Sequence, residues 1–254
     1  MPLSEILGVK TMIPKIIHYC WFGGYPIPND LKRYMDSWKK YAPDYQIIRW
    51  DESNFDLNCH PFVESAYNAK AWAFVSDYAR LKVVYENGGI YLDTDVELLK
   101  NIDFLLENKC YIGVQQHGKL CTTGLGFGAI KYSPVVKEML NKYNGLYYNE
   151  EIKNDIACPW LNNAVIESYG YKYSNKTVVL EEVTIYPSKY FDPLSTGKTS
   201  DLLCNDTISI HHYAASWMSK RIRFKRRIIR VLGERNYYRL KKIAHRTEQI
   251  KDRE

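Results

Sequence analysis

The stretch GGIYLDTDVELL, residues 88–99, sets two carboxylates, Asp93 and Asp95, at the end of an apolar run that reads as a core strand. Burying the run is favourable; burying like charges beside each other is not. Along an extended chain side chains alternate, so Tyr91, Asp93, Asp95 and Glu97 are expected on one face and Ile90, Leu92, Thr94 and Val96 on the other. Like charges repeating ~7 Å apart on one face need a positive partner, and a divalent ion is the usual one.

The rest of the chain supplies a setting for that strand. IPKIIHYCWFGG (13–24) and PDYQIIRW (43–50) read as strands flanking a helix at NDLKRYMDSWKKYA. A helix through PFVESAYNAKAWAFVSDYARLKVVYEN follows, with Trp72, Val75, Ala79 and Val83 at helical spacing and Gly88-Gly89 as its stop. KCYIGVQQ, TGLGFGAIK and TISIHHYAASW read as later strands, SPVVKEMLNKYN and LNNAVIESYG as helices between them. Strands alternating with helices predict an α/β fold with a mainly parallel central sheet. In such sheets ligands bind outside the carboxyl ends of the strands, where the Asp pair lies.

The chain has 254 residues, 46% of them apolar and 25% charged, as in ordinary globular proteins. Its net charge of +6 is uneven, because residues 219–254 carry fourteen Lys and Arg against four Asp and Glu. We therefore read residues 1–218 as one domain and 219–254 as a basic, amphipathic helical tail suited to an anionic membrane surface rather than nucleic acid. Six cysteines without a C-x-x-C pair, no signal-like opening and no apolar run of ~18 residues lead us to expect reduced thiols and a cytoplasmic, peripherally membrane-bound protein.

Several side chains could serve chemistry near the Asp pair. Asp77 and Arg80 share a helix face; the plain reading is an ion pair worth ~0.3 kcal/mol, the other a carboxylate for sugar hydroxyls and a guanidinium for phosphate. Trp21 precedes Gly23-Gly24 and could pack in the core or stack on a nucleobase. His211 and His212 end a strand, and only one can face the carboxylates, where it would complete an Asp/His site for Mn²⁺ or Mg²⁺. Asn162 and Asn163 are expected to open a helix, as an N-cap or as contacts for sugar hydroxyls.

Competing chemistries fit less well. An EF-hand needs a third ligand and a Gly that DTDVE lacks. A haloacid-dehalogenase-like phosphatase continues its D-x-D with Thr or Val where this chain has Glu97. A glycosidase would set its carboxylates across a cleft, on separate elements. A metal-dependent phosphohydrolase and a non-catalytic binding module stay as alternatives to a nucleotide-sugar transferase.

IPKIIHYCWFGG, SDYARLKVVYENGGIYLDTDVE and SIHHYAASW, in this order, resemble the family 32 glycosyltransferases, which include capsular and outer-chain enzymes; a more distant likeness links them to clostridial glucosylating toxin domains. The resemblance covers about Ile13 to Trp217. It implies a Rossmann-like GT-A fold and retaining transfer of a hexose from a nucleotide sugar, UDP-linked by preference, to an oligosaccharide or lipid-linked saccharide. It further implies Trp21 on the nucleobase, with Ser76, Asp77, Arg80, Tyr91, Asp93, Asn162 and Asn163 near the donor and Trp217 on the diphosphate. Asp95, Asp93 and His212 become the metal set, with His211 in reserve, and Asp77, Arg80, Asp93 and Asp95 the catalytic group. No nucleophile is implied; the acceptor attacks from the face the nucleotide leaves.

Overall fold

The computed structural model describes residues 12–194 and 202–214. The tail and Trp217 therefore lie outside the described residues. Nine strands and five helices are described, along with a short 3-10 turn at Asp103–Glu107. The strands are β1 Ile16–Cys20, β2 Gln46–Trp50, β3 Gly89–Tyr91, β4 Val96–Leu98, β5 Cys110–Val114, β6 Cys121–Ala129, β7 Val178–Val179, β8 Thr184–Tyr186 and β9 Ser209–His211. The helices are α1 Asn29–Tyr41, α2 Pro61–Asn68, α3 Trp72–Asn87, α4 Pro134–Asn141 and α5 Cys158–Ser168.

Seven strands form one sheet in the order β2-β1-β3-β6-β5-β8-β7, and β4 and β9 form a second, two-stranded one. β6 and β7 run against the other five strands, so the sheet is mostly parallel and the fold is the expected α/β. One face packs Phe62, Val75, Val135 and Val165 of α2, α3, α4 and α5 against Tyr91, Ile112 and Phe127. The other packs Trp38 of α1 with Ile17, Ile90, Val96 and Leu98. Trp38 also donates from Nε1 to the Val96 carbonyl (2.8 Å), and Leu98 N–H donates to Ser37 Oγ (2.8 Å), so α1 carries the small sheet. No helix among the described residues is long and apolar enough to cross a membrane.

Two expected elements differ. The helix before the acidic segment is two helices, because the chain turns at Lys70 in the left-handed region (φ 57°), with Ala71 N–H bonded back to the Ala66 carbonyl (2.9 Å). The acidic strand is likewise interrupted: after Tyr91 the chain makes a turn closed by Val96 N–H on the Asp93 carbonyl (2.9 Å), then resumes as β4 in the other sheet. Strand alternation therefore stops at the motif itself.

His18, fully buried on β1, holds the turn that feeds β3. Trp50 Nε1–H donates to its Nδ1 (3.0 Å), which fixes the tautomer that donates from Nε2 to the Gly88 carbonyl (2.8 Å). A Cβ on Gly89, at φ 105°, would sit 2.9 Å from that same Nε2, so glycine is required there. Burial pushes the His18 pKa down from 6.5, partly offset by the Gly88 bond. The unfolded chain thus binds the extra proton first, and the stability His18 contributes is complete above about pH 6.5 and lost as pH falls toward its folded pKa. We expect urea unfolding of His18→Gln to show a shallower loss of stability than wild type below that pH; parallel curves would refute the assignment.

Candidate metal and donor site

α3 and β3 place the first half of the site. Arg80, 4% exposed, reaches from α3 with Nη2 to Asp77 Oδ1 (3.1 Å) and Asp93 Oδ1 (3.2 Å). Its Nε–H donates to the Ser76 carbonyl (3.1 Å), and its guanidinium lies 4.9 Å from the Tyr91 ring centroid. Tyr91 is buried, and its hydroxyl donates to Asp93 Oδ1 (2.9 Å). Both Arg80 and Tyr91 thereby fix the first D-x-D carboxylate. Burial raises the Asp77 pKa, opposed by Arg80 and, less strongly, by the Cys158 thiol and backbone at the start of α5. More than a surface i,i+3 pair, Asp77 and Arg80 tie α3 to the motif.

β9 supplies the second half. Its pairing with β4 sets His211 opposite Val96, one residue beyond Asp95. His211 Nε2 lies 3.1 Å from Asp95 Oδ1 and 4.0 Å from Asp93 Oδ2. Past β9 the chain wraps Asp95: His212 N–H donates to its carbonyl (2.9 Å) and Ala214 N–H to its Oδ2 (2.7 Å). His212 is turned away. Its Nε2 is 2.7 Å from Glu97 Oε2 and its ring stacks on Tyr34 at 3.9 Å, so at the end of β9 the two neighbouring imidazoles take opposite sides of the chain. Of the two candidates it is thus His211, not the expected His212, that the structure brings to the Asp pair. Glu97 leaves the carboxylate face for the same reason that the turn ends the alternation.

The electrostatics fit a divalent ion. Burial raises the Asp93 pKa, with Arg80 opposing and the Asp95 charge adding to the rise. Burial also acts against ionised Asp95, but the His211 charge and hydrogen bond and the Ala214 N–H outweigh it and hold Asp95 down to about 2. Burial acts against protonated His211, and Asp95, Asp93 and Asp192 overcome it and raise its pKa. Ligand atoms of Asp93, Asp95 and His211 lie within 4.8 Å of one another. Two carboxylate oxygens and one imidazole nitrogen form a donor set that would suit Mn²⁺ or Mg²⁺.

The other expected donor residues spread along the same edge. Trp21 follows β1, and its indole N–H donates to the Tyr25 carbonyl (2.6 Å), leaving recognition to its ring face. Asn162 and Asn163 are inside α5, not at its start, which is Cys158. Asn163 accepts from Cys121 N–H (3.1 Å) and donates to Glu167 (2.8 Å), and Asn162 donates to Thr123 Oγ1 (3.0 Å). Their N-cap role is corrected: both are buried and tie α5 to β6.

Residues 28–112 match the family model described as "Glycosyltransferase sugar-binding region containing DXD motif". The match contains Asp77, Arg80, Asp93 and Asp95. The comparisons support a glycosyltransferase. The chain is 27% identical over 221 residues to "Uncharacterized glycosyltransferase L373" of Acanthamoeba polyphaga mimivirus, covering 81% of this chain and 84% of that one. It is 30% identical over 122 residues to "Inositol phosphoceramide mannosyltransferase 3" of Schizosaccharomyces pombe, covering 46% of this chain and 34% of the relative's length. Among solved structures, a glycosyltransferase involved in glycosylation of the major capsid of PBCV-1 aligns at a TM-score of 0.47 and 14% identity, over 85% of this chain and 98% of that one.

Two groups of this site carry no sequence signal. Gly124 on β6 leaves room for the ion pair: a Cβ there would lie 2.9 Å from Asp93 Oδ2 and 3.2 Å from Arg80 Nη1. Gly124→Ala is expected to lose about 1–3 kcal/mol on overpacking and to weaken metal binding with it. Unchanged melting and Mn²⁺ affinity would show that the pair tolerates the methyl. Asp192 is the other. It is 1% exposed and accepts at Oδ2 from Gln116 N–H (2.7 Å) and from the Tyr213 hydroxyl (2.7 Å).

Proposed function

We propose that the chain is a metal-dependent, retaining glycosyltransferase that moves a hexose from a nucleotide sugar, UDP-linked by preference, to a saccharide acceptor of a bacterial surface or capsular polysaccharide. The observation that carries this reading is the convergence of Asp93, Asp95 and His211 at the carboxyl edge of a mostly parallel sheet, beside Arg80. A divalent ion held there would neutralise charge on the departing diphosphate. Asp93, Asp95 and His211 would hold it. Among the described residues the carboxylates of Asp77, Asp93, Asp95 and Asp192 gather around the cation Arg80 and the imidazoles of His211 and, beside Asp192, His117, so the site favours added positive charge.

Arg80 is already engaged by Asp77 and Asp93, which fixes its guanidinium at low entropic cost before a donor arrives. In this reading Asp77 holds sugar hydroxyls, and Trp21 stacks on the base. With the acceptor hydroxyl entering on the face the nucleotide leaves, no protein nucleophile takes part. The tail of residues 219–254 would seat the enzyme on the inner face of the cell membrane.

The relatives named inositol phosphoceramide mannosyltransferases favour one variant of this reading, mannosyl transfer to an inositol phosphoceramide-like acceptor, for which we take a GDP-linked donor as the one to test. Thermal-shift measurements with UDP, GDP and their sugars, with and without Mn²⁺, separate the two. A Mn²⁺-dependent rise with UDP compounds supports the first and with GDP compounds the second. No rise with any nucleotide, together with metal-dependent hydrolysis of a simple phosphate ester, would replace both with a phosphohydrolase.

A further inference from the structure

Two buried polar atoms beside the metal trio have no hydrogen-bond partner among the described residues: His211 Nδ1 and Asp192 Oδ1. Each leaves a desolvated group unsatisfied, which a folded protein rarely tolerates without a use. Their chemistry is complementary. When His211 gives Nε2 to a metal, its Nδ1 must carry a proton and needs an acceptor, and a carboxylate is the usual one.

Tyr213 bridges the two residues. Its ring lies 4.2 Å from the His211 ring, edge to face, while its hydroxyl donates to Asp192 Oδ2. Tyr213 also adopts φ 48°, an unfavourable conformation for a residue with a Cβ, and this turn points the next N–H, that of Ala214, at Asp95. Asp192 is itself fixed by Gln116 N–H and by its own backbone N–H on the Ser188 carbonyl (2.8 Å).

We propose that Asp192 is the buried anchor of the metal site: through Tyr213 it holds the turn that presents His211 and the Ala214 N–H to Asp95, and it takes the Nδ1–H of His211, directly or through one water, when Nε2 binds the ion. Asp192 is a positioning residue here. The inference rests on the metal-dependent reading above and adds to it the group that orients the imidazole ligand.

The test is titration of the full chain with Mn²⁺ alone, following the free ion by electron paramagnetic resonance. Asp192→Asn, which keeps size and one acceptor oxygen, is expected to weaken Mn²⁺ binding by about 10–100-fold, the usual effect of losing such an outer partner. Tyr213→Phe removes only the phenol link and weakens it by a smaller factor. His18→Gln, destabilised without touching the trio, binds as wild type does and so separates positioning from general loss of stability. In the Mg²⁺-loaded protein the Nδ1–H resonance of His211 is present and is lost in Asp192→Asn. Wild-type binding matched by a folded Asp192→Asn overturns the inference; should that variant not fold, equal binding by Tyr213→Phe overturns it. Failure of wild type to bind Mn²⁺ at all overturns the metal-dependent reading, and this inference with it.

Discussion

His211→Ala and His212→Ala are expected to part company: the first loses Mn²⁺ binding and the second keeps it. His211 Nε2 is 3.1 Å from Asp95 Oδ1, whereas His212 Nε2 is spent on Glu97 Oε2 at 2.7 Å. Losing a direct ligand exceeds the roughly 10–100-fold typical of outer partners, so His211→Ala and Asp95→Asn should each cost more than about 100-fold in Mn²⁺ affinity. Transfer activity follows the metal. His212→Ala gives up a hydrogen bond and the stack on Tyr34, which costs about 1–2 kcal/mol of stability and leaves the trio in place. Calorimetric titration with Mn²⁺, paired with urea unfolding, checks both halves. The reverse ranking would return the ligand role to His212 and refute the β9 register.

Arg80→Met is expected to be the most destabilising single change at the site. The guanidinium is 4% exposed and is the shared partner of Asp77 and Asp93. Removing it leaves two poorly solvated carboxylates facing each other and Asp95, and breaking a buried pair in this way costs about 3–5 kcal/mol. Because the Asp93 side chain keeps 26% exposure, the lower end of that range is expected. Arg80→Lys does not rescue it, since a point charge cannot address both carboxylates as the planar fork does. Adding Asp77→Asn to Arg80→Met should recover part of the loss by removing one unpaired charge. A double-mutant cycle in urea reads that coupling directly. Strictly additive losses would show that Asp77 and Arg80 act independently.

The α/β class, the position of the D-x-D carboxylates at the carboxyl edge and most of the order of strands and helices are legible in the sequence, because each rests on local periodicity and on glycines that stop helices; the short β7 and β8 carry too few residues for a period and escape this reading. Asp77 and Arg80 are legible too, since helical spacing alone puts them on one face. Lys70 shows where this reading ends: a lysine in the left-handed region carries no compositional mark, so the break between α2 and α3 cannot be read from the chain. The opening puzzle is similar. The chain itself says that Asp93 and Asp95 are close, but it is a turn between two sheets, not strand alternation, that brings them together, and that turn exists because β4 pairs with β9 and packs on α1.

The choice between His211 and His212 belongs wholly to tertiary structure. Two adjacent histidines on a strand differ only in the face they take, and the face is set by pairing Val96 with His211, 115 residues apart in the chain. Asn162 and Asn163 teach the same point, because the helix starts earlier, at Cys158, and their buried side chains bond to Thr123 and to Cys121 N–H on β6, a strand about forty residues away in the chain. Asp192 was invisible, a single carboxylate with no motif or period around it. What the sequence alone determined is the chemistry available and its approximate address, since residue types and short-range periods are local properties. Which imidazole, which backbone N–H and which distant carboxylate complete the site was decided by the tertiary structure, since long-range strand pairing and burial fix where each polar atom finds its partner.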